Sequence, residues 1–178
     1  MPANVRAIAG IDTSKTYTPA SGASTVTDVS NLPYSLGEVV ERKGVNGGIC
    51  QYKFILVEDL ALVAGNAVCY TTDDNNYEVT ADRSGGTSDN SKPAGLAIVA
   101  IADGLCGWIQ TKGLNDVAMV TDGGVAADEA LIAHASTDGG LETGATTENA
   151  SLHFGFAKDA DTGSAMPIGT VYLNCPGE

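Results

Sequence analysis

The chain has 178 residues, enough for one domain of ordinary size or a domain plus an arm, and 43% are hydrophobic, so a packed core is within reach. A net charge of −13, from 9 basic and 22 acidic residues, opposes binding to phosphate backbones and anionic membranes; neither nucleic acid nor a bilayer is expected as a partner. No run of about 18 apolar residues could span a bilayer, and no apolar stretch near the start suits a secretory signal, so synthesis in the cytoplasm is expected.

Residues 1–32 read as an N-terminal arm. The stretch is rich in Thr, Ser and Ala with no sustained period, and by itself buries little apolar surface. The rest, 33–178, reads as one β-rich domain. Residues 34–45 predict a strand with Leu36, Val39 and Val40 on its apolar side, followed by a glycine-rich turn. Ile49–Val57 is a strong strand: Cys50, Tyr52 and Phe54 alternate with Gln51 and Lys53 before an apolar run. After an ambiguous stretch, Gly65-Asn66 turns the chain into a strand over Ala67–Tyr70. Residues 73–91 are a polar excursion around 77–80, a surface loop by composition.

Residues 93–113 are the centre of the chain. They predict two buried strands joined at Asp103-Gly104, with Trp108, the single tryptophan, as the core anchor. Further short pieces follow at 115–120 and 131–133, while 141–150 is polar and Thr-rich. Residues 152–157 alternate, placing Leu152, Phe154 and Phe156 on one face, and 168–175 form a last strand. Turns recur every 8 to 15 residues, as in an all-β barrel or sandwich. The core candidates are Leu96, Ile98, Trp108, Ile109, Phe154 and Phe156.

Three strings invite chemistry, and none converges on it. Asp161-Thr162-Gly163-Ser164 matches the aspartic-protease string, but that reaction needs two carboxylates sharing a proton, and there is one copy. Cys106 would need a histidine base, and only His134 and His153 exist. Asp73-Asp74-Asn75-Asn76 with Glu78 is oxygen-rich but lacks the spacing of a calcium loop. Cys50, Cys69, Cys106 and Cys175 are too widely spaced for a zinc or redox motif; buried reduced thiols are expected, and pairing of two of them stays open. No catalytic, metal or cofactor site is assigned, and no enzymatic activity is expected.

Taken in order, Leu36-Gly37-Glu38-Val39-Val40, Gln51-Tyr52-Lys53-Phe54, the run from Ala61 to Val68, Ala94-Gly95-Leu96-Ala97 and Gly107-Trp108-Ile109-Gln110 with Gly113 resemble the decoration, or cement, proteins of tailed-phage capsids. The similarity runs from about Leu36 to Cys175. It implies a compact β domain of β-tulip type, often a homotrimer, seated on the capsid exterior. Such a protein clamps neighbouring copies of the major capsid protein after shell expansion. In that setting the arm would order against a neighbour, through Val5, Ile8, Ile11, Tyr17, Val26 and Leu32. If trimers form, apolar residues not needed for the monomer core should line the interface, and the sequence does not pick them. The alternative is a β-rich head that binds host glycans, favoured if Trp108 is exposed in a groove.

Overall fold

Alternation of apolar and polar residues dictates strands here, and strands are what form. A computed structural model describes residues 11–19, 31–44, 48–71, 77–83, 92–120, 124–144, 152–160 and 168–175. They contain β1 (Val39–Lys43), β2 (Ile49–Val57), β3 (Ala67–Tyr70), β4 (Glu78–Thr80), β5 (Pro93–Ala97), β6 (Cys106–Met119), β7 (Ala130–Ala133), β8 (Leu141–Thr143), β9 (Gly155–Ala157) and β10 (Ile168–Asn174). The described residues include no α-helix, and the fold is all-β as expected.

The pairing closes on itself. β2 pairs with β4 in parallel, and the sequence β4, β3, β5, β6 continues antiparallel until β6 pairs back onto β2. Because side chains alternate across each strand, this five-strand ring has an inner and an outer set. Ile55, Val57, Val68, Val79, Ala97 and Ile109 fill the interior, with Leu62 and Ile101 joined by a bridge at one end. At the other, Lys53 donates a 2.8 Å hydrogen bond to the Tyr70 hydroxyl and lies over its ring.

Two layers cover the outside. One is the extension β10, β9, β7 and β8, which continues from the far half of β6 and packs Leu131, Leu141, Phe154, Val171 and Leu173 against Ala67, Cys69 and Leu96. The other is the early chain. The Tyr17 N–H donates to the Cys106 carbonyl and the Cys106 N–H donates back, both at 2.8 Å. Ile11 is buried with Val40, Phe54 and Trp108, and Leu32 and Tyr34 pack on the same cluster.

Four expectations change. Residues 78–80, read as part of a polar surface loop, form a buried strand, because the gap between β2 and β3 takes a third strand and Val79 completes the interior. β6 runs through Gly113 without breaking. Residues 141–143, read only as polar chain, supply β8. Phe156 does not share a face with Phe154: Phe154 is fully buried and Phe156 is 47% exposed. Gly155, at φ 156°, lies so close to the Tyr172 carbonyl that a Cβ would collide with it, and this kink shifts the alternation so that Phe154 and Ala157 both face inward. Of the other core candidates, Leu96, Trp108 and Ile109 are fully buried and Ile98 is half-buried.

Candidate functional site

The string from Gly107 to Gly113 lies at the junction of the ring and the extension. Gly113 adopts φ 95°, and a Cβ there would meet the Ile49 carbonyl and Cys50 Sγ, each at 2.8 Å. Beside this bend Gln110 bonds back to the backbone. Its Nε2 donates to the carbonyls of Lys112 and Leu114 at 3.1 and 3.0 Å, while its Oε1 accepts from Asn115 Nδ2 at 3.0 Å. Asn115 Oδ1 in turn accepts from the Val117 N–H. Both amides are buried, so this network is structural glue, with every named group paired.

The outer face of the extension is different. β10 aligns Tyr172 with Leu114 of β6 on one side and with Phe156 of β9 on the other, and β9 aligns Phe156 with Ala130 of β7. Residues directly opposite share a face, so these four form one row across four strands. Tyr172 and Phe156 are each about half exposed, whereas their inward neighbours Val171, Leu173 and Ala157 are buried. Sequence reasoning missed this row. Its signal, two aromatics at positions of opposite parity to the buried ones, becomes readable only once the register is known.

Next to this row, a cavity of ≈ 220 Å³ is lined by Cys50, Tyr52, Ile98, Gln110 and Leu114 among others. Burial, with the Cys50 thiol beside it, pushes the Tyr52 phenol up to about 12. The Cys50 thiol is directed at the Leu114 carbonyl, and the two lining amides, Gln110 and Asn115, are bonded to each other.

Cys106 is fully buried, and burial raises its thiol from 9.0 to about 11, the reverse of what a nucleophile needs. His134 accepts the N–H groups of Ser136 and Thr137 at Nδ1, and its Nε2 is 3.6 Å from Glu142, on the β7–β8 pair. Asp161 to Ser164 and Asp73 to Asn76 lie outside the described residues, and Glu78 sits in β4. Among the described residues, no group of three or more His, Cys, Asp or Glu is placed to hold a metal ion.

The arm candidates also divide. Ile11, Tyr17 and Leu32 were expected to meet a neighbour, but they pack on this chain's own body, because the cluster around Trp108 offers them a continuous apolar surface. Val5, Ile8 and Val26 lie outside the described residues.

No family model matches the chain, and no curated protein matches it. Among solved structures, it is similar to the N base of the head fiber protein gp8.5 of bacteriophage phi29, with a TM-score of 0.44 and 13% identity over 71% of this chain and 96% of that one.

Proposed function

We propose that this chain is a virion structural protein of a tailed phage, which binds the capsid exterior and bridges neighbouring copies of the major capsid protein. One observation carries the reading: the strings that resemble decoration proteins fall on β1, β2, β3, β5 and β6 or on the turns leading into them. They are the frame of the domain rather than scattered matches. The mechanism is contact area. With a net charge of −13, the capsid surface it meets is expected to be basic or neutral. The working assembly is a homotrimer, so that each weak contact is reinforced by two others.

The glycan reading asked for an exposed Trp108. That ring is buried beneath Tyr34, which leaves Tyr172 and Phe156 as its available platform.

Co-sedimentation with expanded heads lacking the protein tests the reading. The purified chain is expected to pellet with the heads, and a chain that stays in the supernatant would refute it. The arm is tested by deleting residues 1–10, because a longer deletion removes Ile11 and Tyr17 from the core and confuses folding with binding.

A further inference from the structure

We infer that the cavity lined by Tyr52 and Leu114 is an anchor pocket for an arginine side chain of a partner protein, and that the row Leu114, Tyr172, Phe156 and Ala130 seats the segment carrying it. The identity of that partner rests on the reading above, in which it is the major capsid protein; the chemistry of the pocket does not. Leu114 belongs to both features, since it lines the cavity and is aligned with Tyr172. The walls are apolar, from Ile98, Leu114 and Val117, all half-buried. Asp116 lines the same space, is exposed, and is the one charged side chain among the described lining residues. It has no ion-pair partner among the described residues. The other polar groups are committed: Gln110 and Asn115 to each other and to the backbone, and Cys50 to the Leu114 carbonyl. Tyr52 keeps its proton, with its phenol pushed up to about 12. Arg42, aligned with Cys50 on β1, is held by Thr13 Oγ1 at 3.0 Å.

Size and charge select the occupant. A cavity of ≈ 220 Å³ is smaller than the roughly 300–1,000 Å³ that holds a drug-sized ligand, and suits one long side chain. Apolar walls with an exposed carboxylate fit a side chain whose methylene stem is apolar and whose head is cationic. Arginine fits better than lysine, because its planar head sheds water more readily and bonds a carboxylate in a fork. The rim of the row points the same way. The Asp128 N–H donates to the Ala157 carbonyl, and Glu142 is aligned with Ile132. Lys158 lies 3.9 Å from Asp159, which leaves Lys112 against Asp116, Asp128 and Glu142. An acidic rim around exposed aromatic rings matches a basic partner. A second copy of this chain, at −13, brings like charge to like, and so does nucleic acid. The row spans three strand spacings, roughly 14 Å, the length of about four extended residues.

Two experiments separate the pocket from its setting. In the first, the full chain is titrated with N-acetyl-arginine amide and followed by NMR, with N-acetyl-citrulline amide as the uncharged probe of the same shape. The arginine probe is expected to shift the backbone amides of Leu114, Asp116 and Val117, and the citrulline probe to leave them in place. Asp116→Asn is expected to abolish the response and Asp116→Glu to keep it; Asp116 is exposed, so neither change disturbs the core. No shift with either probe, or equal shifts with both, overturns the inference. Shifts at Tyr172 and Phe156 with a saccharide panel and none with the arginine probe overturn it as well and give the face to sugar. The same shifts on raising the chain concentration alone, again with none from the arginine probe, overturn it and give the face to a second copy. In the second experiment, expanded heads lacking the protein are sedimented with each chain. Asp116→Asn is expected to bind about tenfold more weakly than the unaltered chain, the loss of one anchor charge, and Asp116→Glu to bind like it. Equal binding by Asp116→Asn overturns the inference and leaves the capsid reading standing. An unaltered chain that does not pellet refutes the capsid reading, and the arginine titration then decides the pocket by itself.

Discussion

Tyr34 stands edge-on over Trp108, with ring centroids 5.0 Å apart and planes at 68°, and the indole beneath it is wholly buried. Phe54 packs on Trp108 at 5.1 Å, and Tyr17 meets both Tyr34 and Phe54 edge to face. Trp108 Nε1 has no hydrogen-bond partner among the described residues, so packing alone orients the ring. Tyr34→Ala removes edge contacts to Phe54, Tyr17 and Trp108, and is expected to cost about 2 kcal/mol at roughly 0.5–1.5 kcal/mol per aromatic pair. Because Trp108 is the single tryptophan, its fluorescence reports the site directly: emission should shift to the red in the folded variant. An unshifted spectrum would mean that Tyr34 is not the lid.

Gln110 is expected to be as important as any apolar core residue. Gln110→Ala strands the carbonyls of Lys112 and Leu114 and the Asn115 amide, a loss of about 3 kcal/mol given roughly 1–3 kcal/mol per buried group left unpaired. Gln110→Glu keeps the shape but removes the donor, and it should destabilise comparably at neutral pH. Denaturant midpoints measure both. A tolerated Glu would show that the amide donor is dispensable.

Gly155 and Gly104 both have positive φ, yet they should respond differently to alanine. Gly104 has open space where a Cβ would go, so Gly104→Ala costs only backbone strain, about 1 kcal/mol. Gly155→Ala drives a methyl into the Tyr172 carbonyl and should cost about 3 kcal/mol or more, adding overpacking to strain. Equal costs in a thermal melt would contradict the close approach of β9 to β10.

The thiols give a pH dependence. Burial raises Cys69 and Cys106 from 9.0 to about 11 and pushes Cys175 up further, while Tyr52 rises from 10.0 to about 12. In each case the folded state holds a proton that the unfolded chain gives up earlier. Stability is therefore full below 9.0, falls as pH rises through about 11 for the thiols, and falls between 10.0 and about 12 for Tyr52. Unfolding midpoints should drop across that alkaline range. Cys69, Cys106 and Cys175 should also resist thiol reagents in the folded protein and react once it is unfolded. A midpoint that rises with pH would contradict the burial.

Local pattern was enough for some strands and useless for others. β2 alternates and then runs apolar, and β3 follows a Gly65-Asn66 turn; both extend over the residues expected. β4 is three residues in a polar stretch, and only the gap between β2 and β3 makes it a strand. Gly113 looks like a break until Gln110 is seen stitching across it. Ile11 and Tyr17 sit in a Thr/Ser-rich run, so nothing nearby shows that they complete the cluster around Trp108. The row through Tyr172 and Phe156 depends on register among β6, β10, β9 and β7, and on one glycine reversing the parity of β9. These are relations between distant segments, which periodicity does not encode.

The central claim is that the protein works by adding contact area to a shell. Thermal rupture of expanded phage heads, followed by DNA release with and without the purified chain, measures that most directly. The account predicts rupture at a higher temperature when the chain is bound, saturating as the capsid sites fill. An identical rupture temperature at saturation would contradict it.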